Sequence, residues 1–560
     1  MLNRKPYSWF MAVLVVLALV AAACGSGNKK TPEAQSGGAG KPVKGGTLID
    51  HQDLANGGDV DHVDPATAGT FDGAQISTLV YDGLTEYDPK AKELKPLVAE
   101  SWKSNADFTQ WTFKIRNGVK WSNGDPVLPS DFKYGWERVL DSKLASEIAY
   151  HITDNAKITG SKDVAEGKAK EISGIVADDT AMELKVTLDA PLNIFPNLLS
   201  HTVFSPMPKK VVSALTDQTA WENQVMIGNG PFKMAEPWKH DQYIKLVRND
   251  TYFGGFEKHK AYLDGINFVI SKDTETAFAG FEAGSAQTAD IPPGRYADVR
   301  AKYADTNTTS LDTLATYYWG FNMKDPTVGG PANLKLRQAI SLAIDRQAIV
   351  DTVYSGTRKV ATGFTPPGMP GYKANLSDVT KRDVVKAKQL LTEWGKTPPT
   401  LRLSFNAGAG HEPVGAIFQS NLKDIGINST IDARPSKPYF SDMRKGKGQL
   451  FRAGWFWDYI AYDNGLFPLF STAAIGGDNL EQYSNPKLDQ MLVDARTAKD
   501  EGERNRLYNE AEKIVLDDVV VIPLNWYRGT IVWRPTLKNV QETPLGFLNY
   551  ESMWMAKAAG

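Results

Sequence analysis

The chain has 560 residues, 63 Lys and Arg against 65 Asp and Glu, a formal net charge of −2 and a single cysteine. At about 150 residues per domain this is enough chain for several substantial cores. The balanced charge excludes a bulk nucleic-acid binder, and the lone cysteine excludes disulfide scaffolds and Cys-based zinc sites. A hydrophobic content of 42% excludes a disordered chain, and 14 Trp supply rings suited to lining ligand clefts.

In chain order, Arg4 and Lys5 precede an apolar run from Trp9 to Ala23. As a helix that run spans about 22 Å, short of the ~30 Å hydrocarbon core, so it reads as a secretory leader. The small residues Ala21, Ala22 and Ala23 lead into Cys24, the only cysteine. This junction resembles a bacterial lipobox, although Ala21 stands where Leu is preferred. The resemblance implies lipidation of Cys24 and a protein held on the outer face of the cell membrane. Gly25 to Lys44 is polar and Gly-rich, a flexible tether with a root-mean-square span of about 25 Å. No later stretch approaches ~18 uncharged apolar residues, so the remainder is expected to be soluble and extracytoplasmic.

From Gly45 the patterns alternate between strand and helix. Gly46 to Ile49 starts the fold as a short strand. Trp111 to Arg116 alternates apolar and polar, Asn117-Gly118 is a hairpin signal, and Val119 to Trp121 resumes the alternation, predicting a β-hairpin. Met182 to Leu188 and Tyr243 to Arg248 are two further period-two strands. Leu336, Ile340, Ala343 and Ile344 form one helical stripe, with Asn333 as N-cap and Gly356 as C-cap. Arg337 is expected on the exposed face, with Asp345-Arg346 as a cap. Thr365 to Gly371 is a long Pro-Gly loop. Asp500 to Asp517 carries Leu507, Ala511, Ile514 and Val515 on one helical face, and Val519 to Leu524 reads as a buried strand. The mixture is α/β with more than one lobe.

Catalytic motifs are missing from the sequence. There is no Gly-x-Ser-x-Gly elbow and no Gly-x-Gly-x-x-Gly. His411-Glu412 is followed by Pro413, Val414 and Gly415, so the second zinc-binding histidine is lacking. Gly395-Lys396-Thr397 ends like a phosphate loop, but Leu390 breaks the cradle. Asp178-Asp179 and Asp517-Asp518 read as solvated carboxylates. No enzyme activity, cofactor or metal is expected, and a secreted hydrolase using scattered carboxylates stands as the less favoured alternative.

Four segments carry a family resemblance. The first is Leu97 to Trp102, continued by Phe113 to Trp121, Gly124-Asp125-Pro126 and Asp131-Phe132. The second is Gly228-Asn229-Gly230-Pro231-Phe232-Lys233 with Arg248 to Phe253. The third is Leu336 to Arg346, and the fourth is Arg452-Ala453-Gly454-Trp455-Phe456-Trp457-Asp458-Tyr459. In this order and spacing the chain resembles the family-5 extracellular solute-binding proteins of ABC importers, the oligopeptide- and dipeptide-binding proteins and their relatives. The resemblance implies a two-lobed, type II periplasmic-binding-protein-like clamshell with an extra α/β domain inserted in the N-terminal lobe. Lobe I is expected over 45–84, 205–310 and 530–560, the inserted domain over 85–204 and lobe III over 311–529. Within these motifs Trp111, Phe113 and Trp121 are read as core of the inserted domain, and Gly228 to Pro231 as a turn with positive φ and close backbone approach.

The fourth segment is where a ligand is expected. A binder indifferent to peptide sequence bonds the ligand backbone as an added strand and pairs its charged termini. By resemblance Asp458 pairs with the α-ammonium, Ala453, Gly454, Trp455 and Phe456 offer backbone, and Trp455 walls a side-chain pocket. A facing strand is expected near Gly69 to Phe71. Arg452 and His411 fall where the ligand's carboxylate is received, and Tyr318 sits among the aromatics Tyr317, Tyr318 and Trp319. Ala315 and Phe456 replace a cysteine pair of some members, and Gly320 replaces an acidic residue. Because relatives also bind oligosaccharides, nickel chelates or opines, peptide is one ligand class among several. The expected partners are an oligopeptide, an ABC permease with its ATPase subunits, and the membrane through Cys24. The protein is expected to be a monomer without nucleic acid.

Overall fold

The computed structural model describes residues 41–53, 59–88, 93–254, 261–271, 273–292, 294–303, 308–407, 410–543 and 545–556. The leader, Cys24 and most of the tether therefore lie outside the described residues. Among the described residues no helix is long and apolar enough to cross a membrane.

The strands that build the site are, in chain order, β1 (Thr47–Asp53), β2 (Ala99–Ser104), β3 (Gln110–Ile115), β4 (Ile175–Asp178), β5 (Glu183–Thr187), β6 (Phe232–Met234), β7 (Tyr243–Arg248), β8 (Gly265–Ser271), β9 (Thr288–Asp290), β10 (Thr308–Phe321), β11 (Leu401–Asn406), β12 (Ser429–Arg434), β13 (Leu450–Phe456) and β14 (Val521–Trp533). The helices used below are α1 (Phe71–Val80), α2 (Leu334–Ala343), α3 (Arg346–Val353), α4 (Glu412–Asp424), α5 (Tyr462–Phe470), α6 (Pro486–Thr497) and α7 (Glu501–Asp517).

One sheet runs through most of the molecule in the order β12-β11-β13-β10-β14-β9-β1-β8-β7-β6, with Lys359–Val360 added beside β14. Its two halves are joined by the long strands β10 and β14. β14 pairs with β9 through Ile531 to Trp533 and with β10 through Val521 to Val532. The lobe boundaries expected at 310/311 and 529/530 fall inside these two strands. Their ladder shifts register between Asp312 and Thr316 and again between Tyr317 and Tyr318, which bends and twists a strand locally.

A separate antiparallel sheet, β2-β3-β5-β4, lies within the stretch expected as the inserted domain. Alternation puts Trp111, Phe113 and Ile115 of β3 inside, and Trp111, Phe113 and Phe195 form one ring cluster. Trp121 is also buried. All three aromatics therefore have the core role that was expected of them.

Several local readings change. Val119 to Trp121 does not return along β3, whose neighbours are β2 and β5. Instead Trp121 and Val127 bond across a short loop to Asp125 and Val119, because Gly124 takes a positive φ of 93° and turns the chain there. The single helix expected near 336–356 is broken at Ile344 into α2 and α3, and Asp345 caps α3 by accepting from the Ala348 amide. Asn333 sits at the α2 N-cap, but its side chain bonds back to Pro326 and Gly329.

Arg337 is not exposed: it is 1% accessible. Its guanidinium donates to the carbonyls of Val328, Gly330 and Asp518, which keeps a buried charge fully bonded. Gly228 and Gly230 lack positive φ, but the close approach is real, since a Cβ at Gly228 would lie 1.9 Å from the Val80 carbonyl oxygen. α7 buries Tyr508, Ala511, Glu512, Val515 and Leu516, a face rotated slightly from the expected stripe.

Candidate functional site

β13 carries the fourth sequence segment. One edge is fully paired with β10, placing Phe456 opposite Ala315 and Ala453 opposite Tyr318. On the other edge β11 pairs only with Leu450 and Phe451. Among the described residues, the edge from Arg452 to Phe456 therefore has no strand neighbour. Such an edge is a template for an extended chain.

Asp458 lies just past the end of β13. Its position is set by Asn464 in the first turn of α5, which is fully buried. The Asn464 amide donates to Asp458 Oδ2 at 2.8 Å, and its Oδ1 accepts from the Asp458 amide at 2.9 Å and the Trp455 indole at 3.1 Å. Sequence reasoning misses Asn464, whose only signal is a polar residue just ahead of the apolar run Leu466 to Phe470. Next to it, Asp463 forms a buried two-pronged pair with Arg496 at 2.7 Å per bond and also accepts from Tyr508 and Tyr459. That network fixes α5, and through it Asp458.

Two imidazoles from the inserted stretch face Asp458. His151 Nε2 and His201 Nε2 stand 3.9 and 4.0 Å from its carboxylate oxygens, and their rings stack at 4.4 Å. The Asp458 side chain keeps 25% of its surface accessible, yet it lies deep enough that burial pushes its pKa up to about 7. Burial holds His201 down at about 4 and His151 well below the usual range, so both rings are neutral at neutral pH.

These three residues have the spacing of a metal site. However, the Val203 amide donates to His201 Nδ1 at 3.1 Å, which places the neutral ring's proton on Nε2. That tautomer offers Asp458 a hydrogen-bond donor and offers a metal no lone pair.

At the other end of the open edge, Arg452 is 9% accessible. Its guanidinium donates to Tyr527 Oη at 2.8 Å and Asn406 Oδ1 at 3.2 Å and lies 4.9 Å from the Tyr317 ring centroid. Tyr317 Oη meets His411 Nδ1 at 3.3 Å. Burial, with the fields of Arg452 and Arg358, drives the His411 pKa down to about 2, so that imidazole is neutral.

The remaining expected residues are distributed as follows. Gly69 to Phe71 is not a strand: Thr70 caps α1, with Phe71 as its first residue. The Phe71 ring nevertheless meets Phe456 at 5.8 Å, and Phe456 meets Tyr527 at 4.8 Å. Phe456 is 39% accessible, whereas Tyr318 is 1% accessible and packs on Phe364. Of the three clustered aromatics it is Tyr317 that meets Arg452 and His411. Ala315 and Phe456 are direct cross-strand partners. The surface of Gly320 is covered by Glu481, whose carboxylate oxygen would lie 2.2 Å from a Cβ there.

Contacts also join the inserted stretch to the 450–500 region. Tyr87 Oη accepts from the Ile460 amide at 2.9 Å, the Asn193 amide donates to the Arg496 carbonyl at 3.1 Å, and Asn193 Nδ2 donates to the Ala498 carbonyl at 2.5 Å.

Comparison with known proteins fits this architecture. The chain is 28% identical over 559 residues to the oligopeptide-binding protein OppA of Bacillus subtilis, covering 96% of this chain and 97% of that one. It is 30% identical over 486 residues to the periplasmic murein peptide-binding protein MppA of Escherichia coli, covering 85% and 87%. Among solved structures, Haemophilus influenzae OppA in complex with the peptide RPPGFSPFR superposes with a TM-score of 0.75 at 25% identity, covering 92% of this chain and 99% of that one. The fold is the type II periplasmic peptide-binding fold. Residues 93–477 match the profile of bacterial extracellular solute-binding proteins, family 5, and the chain belongs to that family.

Proposed function

We propose that this chain is a lipid-anchored receptor that captures oligopeptides between its two lobes and delivers them to an ABC import permease. The carrying observation is the unpaired edge of β13 with a carboxylate at one end and a guanidinium at the other. A peptide laid along that edge would bond Ala453 to Phe456 as an added strand, its ammonium at Asp458 and its carboxylate at Arg452 and His411. At ~3.3 Å per residue, the six steps from Arg452 to Asp458 span about 20 Å; less about 3 Å for the ion pair at each end, this suits a ligand of roughly four or five residues. Its chain would run antiparallel to β13. The lobes are taken as 45–84, 205–310 and 530–560 against 311–529, with 85–204 inserted in the first. Binding closes the lobes, and the closed liganded form is the one delivered. The named ligands of the relatives support this class of cargo.

The test is titration calorimetry of Asp458→Ala with a free tetrapeptide and its N-acetylated form. Removing one partner of a buried charge pair costs about 3 kcal/mol. The free peptide should therefore weaken by about a hundredfold and the acetylated one much less. Equal losses would remove Asp458 from the ammonium role. Anchoring is tested by Cys24→Ser, which should move the protein out of the detergent phase on phase separation, and unchanged partition would contradict the anchor. The accessible ring of Phe456 beside Phe71 and Tyr527 also favours a second reading, an oligosaccharide stacked on aromatics. Titration with short glycans separates the two.

A further inference from the structure

Arg358 is not used by the reading above. It follows α3 and sits between two rings, its guanidinium carbon 3.7 Å from the Tyr354 centroid and 4.1 Å from that of Tyr527. It lies 5.9 Å from the Tyr317 centroid and donates to Asn525 Oδ1 at 3.1 Å. Tyr527 is the same residue that accepts from Arg452. Two guanidinium groups thus converge on Tyr317 and Tyr527, and the fields of both reach His411.

Among the described residues no carboxylate lies within 4.0 Å of either guanidinium, although Arg528, next to Tyr527 in sequence, pairs with Asp312 at 2.8 Å. Arg452 also has a buried Nε without any partner, while its side chain is more than nine-tenths buried. Two cations sharing the Tyr317 and Tyr527 rings, one buried and one half-buried, repel each other, and Arg452 keeps an unfilled donor. One carboxylate satisfies one planar fork of donors, and two forks call for two anionic groups.

We propose that Arg358 forms a second anion subsite beside Arg452, so that the preferred cargo is a peptide whose last residue carries an acidic side chain. This rests on the peptide reading: Arg452 and His411 take the terminal carboxylate, and Arg358 takes the carboxylate of a final Asp or Glu. The rings of Tyr354 and Tyr527 hold the Arg358 fork in place, and its positive charge and paired donors favour the two acceptor oxygens of a carboxylate over an amide, one of whose two polar groups is itself a donor.

The experiment compares Ala-Ala-Ala-Glu with Ala-Ala-Ala-Gln by titration calorimetry on the full chain. The expected result is a tenfold or greater preference for the Glu-ended peptide. In Arg358→Gln the ratio of the two dissociation constants should collapse to within twofold, and in Arg358→Lys, which keeps the charge and guards against a folding defect, part of it should return. Equal affinity of the two peptides for the unaltered protein overturns the inference and leaves the peptide reading standing. A preference that survives Arg358→Gln overturns it as well. If neither peptide binds, the peptide reading itself falls and takes the inference with it.

Discussion

The two ends of the open strand edge bury opposite charges by different means. At one end burial pushes the Asp458 carboxyl up to about 7, and its neighbours are two neutral imidazoles and the Asn464 amide. At the other end burial also disfavours the Arg452 cation, but its guanidinium donates to Tyr527 Oη and Asn406 Oδ1, lies against the Tyr317 ring and stays charged. A carboxylate surrendered to desolvation can take up a proton near neutral pH, whereas a guanidinium cannot give one up. One end of the site is therefore sensitive to pH and the other is fixed.

The sharpest way to break this contrast is at the fixed end. Arg452→Met should weaken a peptide with a free carboxylate by about a hundredfold, from about 3 kcal/mol for a stranded buried charge. The C-terminally amidated peptide should change far less, and fluorescence or calorimetric titration of the pair reads the difference. A uniform loss would make Arg452 a packing residue only.

A smaller effect tests the sensitive end. In a complex with an N-acetylated peptide Asp458 has no cation and keeps its raised pKa of about 7. In a complex with a free amine the ammonium holds the carboxyl ionised. Below pH 7 the acetylated complex gains by taking up a proton that the free-amine complex does not need. The preference for the free amine should therefore be fullest just above pH 7 and shrink by about tenfold per unit as pH falls below it. It should shrink again above about pH 8, where the peptide amine itself loses its proton. A preference constant from pH 5.5 to 7.5 would show that Asp458 is not the group that senses the amine.

How much of this was readable depended on how local the cause was. Glu183 to Thr187 and Tyr243 to Arg248 announce themselves because alternation with a period of two is a property of the strand alone. The Val119 hairpin does not form because Gly124 turns the chain before it can return along β3, whose edges are taken by the preceding strand β2 and by the distant strand β5. A charge on a helix normally faces water, so the sequence around Arg337 points it to solvent. Three backbone carbonyls, one from Asp518, hold it inside, and no pattern near Arg337 records them. The same limit applies at the site. Resemblance singles out Asp458, Arg452 and His411, but His151, His201 and Asn464 reach Asp458, and Arg358 shares Tyr317 and Tyr527 with Arg452, only after the chain has folded.

β10 and β14 carry a consequence for the working cycle. Any rotation of one half against the other passes through these two strands, and their pairing is irregular between Asp312 and Tyr318. Tyr317, whose ring centroid lies 4.9 Å from the Arg452 guanidinium and 5.9 Å from that of Arg358, stands within that irregular stretch. If the proposed reading holds, pivot and grip share a residue, and cargo held against Tyr317 would stiffen the joint that must flex again before it can leave.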